Sequence, residues 1–210
     1  MHQEFSQSDG GDGEVRSFVA VLLSGEVVEE LLVLQRWLRS RVREDVRWLS
    51  ADQLHLTLVF LGEVPPNQLT GLGDALEDVG RHCAGVRLHL QGAGVFPETG
   101  RPRVIWVGLG GDLESLAALH RQAGMAVTRY TPREETRIFR PHLTLGRLRP
   151  GGEAGPGLPE LIGGLPGPRR VSWMVQQVLL MRSELTPAGA RYTVLRGVPL
   201  RGAGGSSIGA

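Results

Sequence analysis

HLTLVFLG (55–62) and HLTLGRL (142–148) open on the same four residues, 142 − 55 = 87 positions apart. The echo suits an internal duplication in which each half contributes one such segment. Both segments read as strands. Side chains on a strand alternate between faces, so residues two apart point the same way. His55 and Thr57 therefore share a face, as do His142 and Thr144. Leu56, Leu58 and Phe60 are expected in the core behind the first pair, and Leu143 and Leu145 behind the second.

Outward from these strands, helical and extended patterns alternate. Residues 17–23, 86–96 and 103–110 read as strands; 26–42, 67–83 and 113–127 read as helices, the first with a basic far end that complements the helix dipole. A Gly/Pro-rich connection over 150–168 precedes two final strands, 171–185 and 190–200. Residues 1–14 and 201–210, rich in Gly, Ser and Asp, are expected to be disordered tails around one domain over 15–200. Adjacent strands with short links give an α+β class with largely antiparallel sheets.

Composition removes several functions. The chain has 210 residues and one cysteine, Cys83, so it holds no internal disulfide and no cysteine-rich zinc site. All 23 residues of the Lys+Arg class are arginine. Without lysine there is no lysyl-adenylate, no Schiff base and no Walker-type phosphate lysine. Any anion must be met by guanidinium forks. A net charge of +1 argues against the whole surface being an electrostatic trap for nucleic acid. No apolar run is long enough to span a bilayer, and the acidic first residues are not a secretory signal, so a cytoplasmic protein is expected.

Two imidazoles and two hydroxyls around one phosphate suit hydrolysis of a cyclic phosphodiester. One histidine takes a proton from the attacking water while the other gives one to the departing ribose oxygen. Histidine is the side chain whose ordinary pKa permits both states near neutrality. Threonine does no proton chemistry there but holds phosphoryl oxygens in line. A lone His-x-Thr on a strand is more often structural; two copies with the same flanking leucines favour catalysis. No metal and no cofactor is required.

The landmarks R-x-F-V-A (16–20), HLTLVFLG, GVFP with RPRVIWVG (94–97, 101–108), FRPHLTLGR (139–147) and M-R-S-x-L…G-x-x-Y (181–192) make the chain resemble the 2H phosphoesterase superfamily. Within it, the chain resembles the bacterial and archaeal RNA 2′,3′-cyclic phosphodiesterases, historically called 2′-5′ RNA ligases. The resemblance implies a bilobal fold, two pseudo-symmetric antiparallel sheets flanked by helices around a central cleft. It implies metal-independent cleavage of 2′,3′-cyclic ends to 2′-phosphomonoesters, with His55 as proton donor and His142 as proton acceptor. It also implies that Arg147 binds substrate phosphate. Strict alternation puts Arg147 on the face of Leu143 and Leu145, so either a bulge near Gly146 or an approach from the strand's end is needed. Phe60 stands at the equivalent place in the first motif.

Phe96, in a Gly/Pro loop, is a candidate to stack a base, as aromatic platforms do for single-stranded RNA; Trp106 is read as core. His89, with Gln91 two residues on, and His120, late in a helix, are read as structural or surface residues. His82 beside Cys83 lacks further ligands at zinc spacing. The arginine-rich stretches 36–47 and 129–149 are candidates to flank an RNA path, the second the better one; Arg36, Arg39 and Arg43 otherwise read as the solvated face of the first helix. The expected partner is RNA with a 2′,3′-cyclic phosphate end or a small cyclic phosphodiester, no membrane, the protein acting as a monomer. The alternatives are a phosphodiesterase for a small cyclic nucleotide or ADP-ribose cyclic phosphate, and an RNA-binding or joining module in which hydrolysis is incidental.

Overall fold

The first motif strand, β3 (Leu56–Val64), and the second, β6 (His142–Leu148), lie side by side at the centre of one antiparallel sheet. The computed structural model describes residues 13–42, 45–131, 138–149, 157–169, 171–187 and 189–202. The tails expected at 1–14 and 201–210 lie almost wholly outside them. On one side of the centre stand β1 (Val15–Val21), β8 (Gln177–Thr186) and β9 (Gly189–Pro199). On the other stand β5 (Val104–Gly111), β4 (Val86–Phe96) and β7 (Ser172–Val175). A short β2 (Val46–Trp48) pairs with the outer end of β6.

Each motif strand follows a strand–helix unit and pairs back onto its strand. The units are β1, α1 (Gly25–Arg39), β3 and β5, α3 (Leu113–Val127), β6. Helix α1 opens with Ser24 accepting from the Val27 N–H, and α3 opens with Asp112 accepting from the Ser115 N–H. With α2 (Leu69–His82) they present Leu31, Leu38, Leu72, Leu76, Leu116 and Leu119 to one buried face of the sheet. Leu56, Leu58, Leu143 and Leu145 meet them there. Leu56 and Leu143 are fully buried, each stabilising the fold by about 1.5–3 kcal/mol. The other face carries a smaller cluster, Phe18, Ala20, Leu179 and Met181 beside Tyr192.

Three expectations need correction. Two separate sheets were expected; backbone pairing instead runs through all nine strands, with the halves joined by Leu56↔Leu143. Residues 171–185 are not one strand: they break at Gln176, sending β7 to one edge beside β4 and β8 to the opposite half beside β1. The Gly/Pro connection contains a helix, α4 (Leu158–Gly163), started by Pro159 in its first turn and anchored by buried Leu158 and Ile162. In addition, no helix among the described residues is long and apolar enough to cross a membrane.

Candidate active site

A β-bulge interrupts each motif strand just past its threonine. In β3, Val59 pairs with Val19 and Thr57 with Ala20, leaving Leu58 as the extra residue. In β6, Gly146 pairs with Ile105 and Thr144 with Trp106, leaving Leu145 extra. An extra residue shifts the alternation by one. Hence Phe60 leaves the core, where it was expected, and stands 54% exposed on the face of Thr57. Arg147 likewise turns to the face of Thr144, which settles the ambiguity in its direction in favour of a bulge, at Leu145.

That face forms the floor of a cavity of about 960 Å³. His55, Thr57, His142, Thr144 and Arg147 all line it, together with Arg16, Arg47, Phe18, Phe60 and Tyr192. Of the residues proposed from the sequence, Phe96 is not among those lining it. Its ring stacks on Trp106 at 5.0 Å, lies under the Arg140 guanidinium at 5.1 Å and meets His142 edge-on at 5.0 Å. Phe96 thus packs edge-on against the second histidine.

The two histidines are held by the same local device. His55 Nδ1 lies 2.7 Å from the Gln53 carbonyl, and His142 Nδ1 lies 2.7 Å from the Arg140 carbonyl, each two residues back along the chain. A carbonyl oxygen only accepts, so Nδ1 carries the hydrogen in both rings and Nε2 is the nitrogen left for chemistry. His55 Nε2 lies 3.0 Å from the Thr57 hydroxyl. Phe18 and Tyr192 pack on the His55 ring at 5.0 and 5.1 Å. Burial pushes the pKa of both histidines below the ordinary imidazole value, partly opposed by the Gln53 and Arg140 carbonyls. Arg147 lowers both further, and His142 adds to the effect on His55, so the two imidazoles and the guanidinium feel one another's charge.

Gln35 and His120, neither suggested by the sequence as functional, reach the two bulges. Gln35 is fully buried on α1, and its Nε2 donates to the Leu145 carbonyl at 2.8 Å and to the Leu49 carbonyl at 2.9 Å. His120 on α3, partly buried, donates from Nδ1 to the Leu58 carbonyl at 2.9 Å and stacks on Phe139 at 4.0 Å, as a packing residue does. Phe18 and Tyr192 lay within the R-x-F-V-A and G-x-x-Y landmarks and could have been weighed there; Arg47 carried no such signal. His89 lies near Gln91, 3.3 Å from its amide oxygen, and is not among the residues lining the cavity. Among the described residues no group of three or more His, Cys, Asp or Glu could hold a metal ion.

With this geometry in place, comparison with known proteins is specific. The family described as "LigT like Phosphoesterase" matches residues 21–106. An RNA 2′,3′-cyclic phosphodiesterase of Methanothermobacter thermautotrophicus is 36% identical over 180 residues, covering 86% of this chain and 96% of that one. One from Thermus thermophilus is 35% identical, covering 90% and 91%. The crystal structure of TT0787 of Thermus thermophilus superposes with a TM-score of 0.73 at 32% identity, over 90% of this chain and 99% of that one. That of E. coli LigT complexed with 3′-AMP gives 0.71 at 29% identity, over 89% and 98%.

Proposed function

The chain belongs to the LigT-like phosphoesterase family, and from that membership we propose that it is an RNA 2′,3′-cyclic phosphodiesterase working by histidine acid–base chemistry. The cyclic phosphate sits between His55 and His142. His142 Nε2 takes a proton from water as the water oxygen attacks phosphorus. The bond from phosphorus to the ribose 3′ oxygen breaks, His55 gives that oxygen its proton, and a 2′-phosphomonoester remains. Thr57, Thr144 and Arg147 hold the non-bridging oxygens, the arginine through a planar fork. When a 5′ hydroxyl takes the place of water, the same opening of the cyclic ester forms a bond from phosphorus to the 5′ oxygen, breaks the bond to the 3′ oxygen and yields a 2′-5′ linkage, driven by the strain of the ring.

One observation carries this reading: both rings are locked at Nδ1 to a backbone carbonyl and line one cavity with both threonines and Arg147. Imidazoles pre-set by their Nδ1 bonds, with Nε2 turned to the cavity side and its hydroxyls, are what paired proton transfer requires, each transfer contributing typically about 10²–10⁴-fold. The test is hydrolysis of an oligonucleotide ending in a 2′,3′-cyclic phosphate, run with EDTA throughout. Undiminished turnover is expected. Activity lost on chelation and restored by zinc or magnesium would defeat the two-histidine mechanism; tight binding without turnover would favour an RNA-binding module.

A further inference from the structure

We propose a second anion site at the mouth of the cavity, formed around Arg47, that takes the phosphodiester on the 5′ side of the reacting nucleotide; this rests on the function proposed above. Arg47 stands directly opposite Arg147 in the β2–β6 ladder, and both side chains line the cavity. Directly opposed residues have Cβ atoms about 4.5–5.5 Å apart, and like charges so placed destabilise a sheet. Among the described residues no carboxylate forms an ion pair with either guanidinium. Two carboxylates line the cavity, Glu14 and Glu63, and Glu63 stands opposite Arg16 in the β1–β3 ladder. Two cations held side by side without a carboxylate between them form a seat for anions.

The seat of Arg47 is also built. Its guanidinium lies against Gly189 in the β8–β9 turn, where φ is +133° and a Cβ would collide with it. Any other residue there would be strained and would displace the guanidinium. Arg147 is committed to the cyclic phosphate, so Arg47 beside it faces the next phosphate along an RNA strand. A mononucleoside cyclic phosphate with a free 5′ hydroxyl offers nothing to that site. Specificity for chain ends over small cyclic nucleotides follows.

Arg47→Gln is measured on three substrates: adenosine 2′,3′-cyclic phosphate, the same compound with a 5′ phosphate, and a dinucleotide with a 2′,3′-cyclic end. The variant is expected to keep kcat/KM within twofold on the first and to lose about tenfold on the other two, the scale of one charge-assisted hydrogen bond. Its salt dependence on the dinucleotide should flatten by about one counterion. Equal loss on all three, or loss on none, would overturn the second site while leaving the phosphodiesterase reading intact. Wild-type protein inert on all three would overturn that reading and this inference with it.

Different observations support a second inference: Gln35 and His120 are positioning residues, each holding the bulge of the opposite half. Helix α1 belongs to the unit of the first motif, yet Gln35 holds Leu145 of the second; α3 belongs to the second, yet His120 holds Leu58 of the first. Each bulge sets the direction of the residue two places on, Phe60 or Arg147. His120 also stacks on Phe139, next to Arg140, whose carbonyl locks His142. A bulge disrupts its ladder, and a donor from a neighbouring helix then helps to fix its carbonyl: Leu145 accepts from Gln35 beside the backbone N–H of Leu49 at 3.0 Å, and Leu58 accepts from His120. His120→Phe keeps the stacking and removes the donor; His120→Gln restores a donor. Expected is a fall in kcat of about tenfold for the Phe variant with KM within twofold, recovered by Gln, because small misplacement costs rate more than binding. Gln35→Leu should act likewise, and His120→Phe decides the matter if that variant fails to fold. Wild-type kcat in folded His120→Phe, with only its melting temperature lowered, would reduce His120 to packing.

Discussion

His142→Ala and His55→Ala are each expected to lower the single-turnover rate on a cyclic-ended oligonucleotide by about 10²-fold or more. The double variant should lose far less than the product of the two, because an acid and a base serving one phosphate act as a unit. Binding of the same oligonucleotide should change much less than turnover. Thr57→Ala and Thr144→Ala should fall less far, since they position and do not move protons. The pH profile should be bell-shaped and should belong to the pair. Burial and Arg147 hold both imidazoles below their ordinary pKa in the free protein. One of them must nevertheless carry a proton, so kcat/KM should peak on the acid side of the ordinary histidine value. A bound phosphate anion favours the imidazolium, so the kcat profile should lie at higher pH. Wild-type turnover in either histidine variant would mean that the reacting groups are elsewhere.

Arg147→Ala should cost about 10–100-fold in kcat/KM, the worth of a charge-assisted hydrogen bond to an anion at about 1.5–3 kcal/mol. It carries a second signature. The guanidinium depresses both histidines, so its removal should raise their pKa values and move the free-enzyme profile to higher pH. Arg147→Lys keeps a charge and loses the fork; its profile should stay near wild type while kcat/KM falls part of the way. Equal effects of the two substitutions on the profile would contradict an electrostatic role for this side chain.

Much of this site was legible in the sequence, and the reason is periodicity. His55 with Thr57 and His142 with Thr144 fall on one face by the two-residue repeat of a strand, and the structure brings all four to one cavity. The same rule failed three residues past each threonine. It buried Phe60, which is exposed, and left Arg147 undecided, because a bulge is a property of the pairing and not of one strand's own residues. Both bulges are visible only against β1 and β5. The join of the halves through Leu56 and Leu143 was hidden for the same reason. Gln35 and His120 each bond to the strand of the other strand–helix unit, so no local pattern marks them. Arg47 was not singled out in the sequence because its neighbours in the structure, Arg147 and Gly189, are far away along the chain.

The central claim, that two histidines open one cyclic phosphate toward the 2′ position, is tested most directly by the product formed in oxygen-18 water. With a 2′,3′-cyclic-ended oligonucleotide and EDTA, the predicted product is a 2′-phosphomonoester carrying one solvent oxygen, formed by wild type and lost in His142→Ala. A 3′-phosphomonoester, or the same product formed at the wild-type rate without His142, would contradict it.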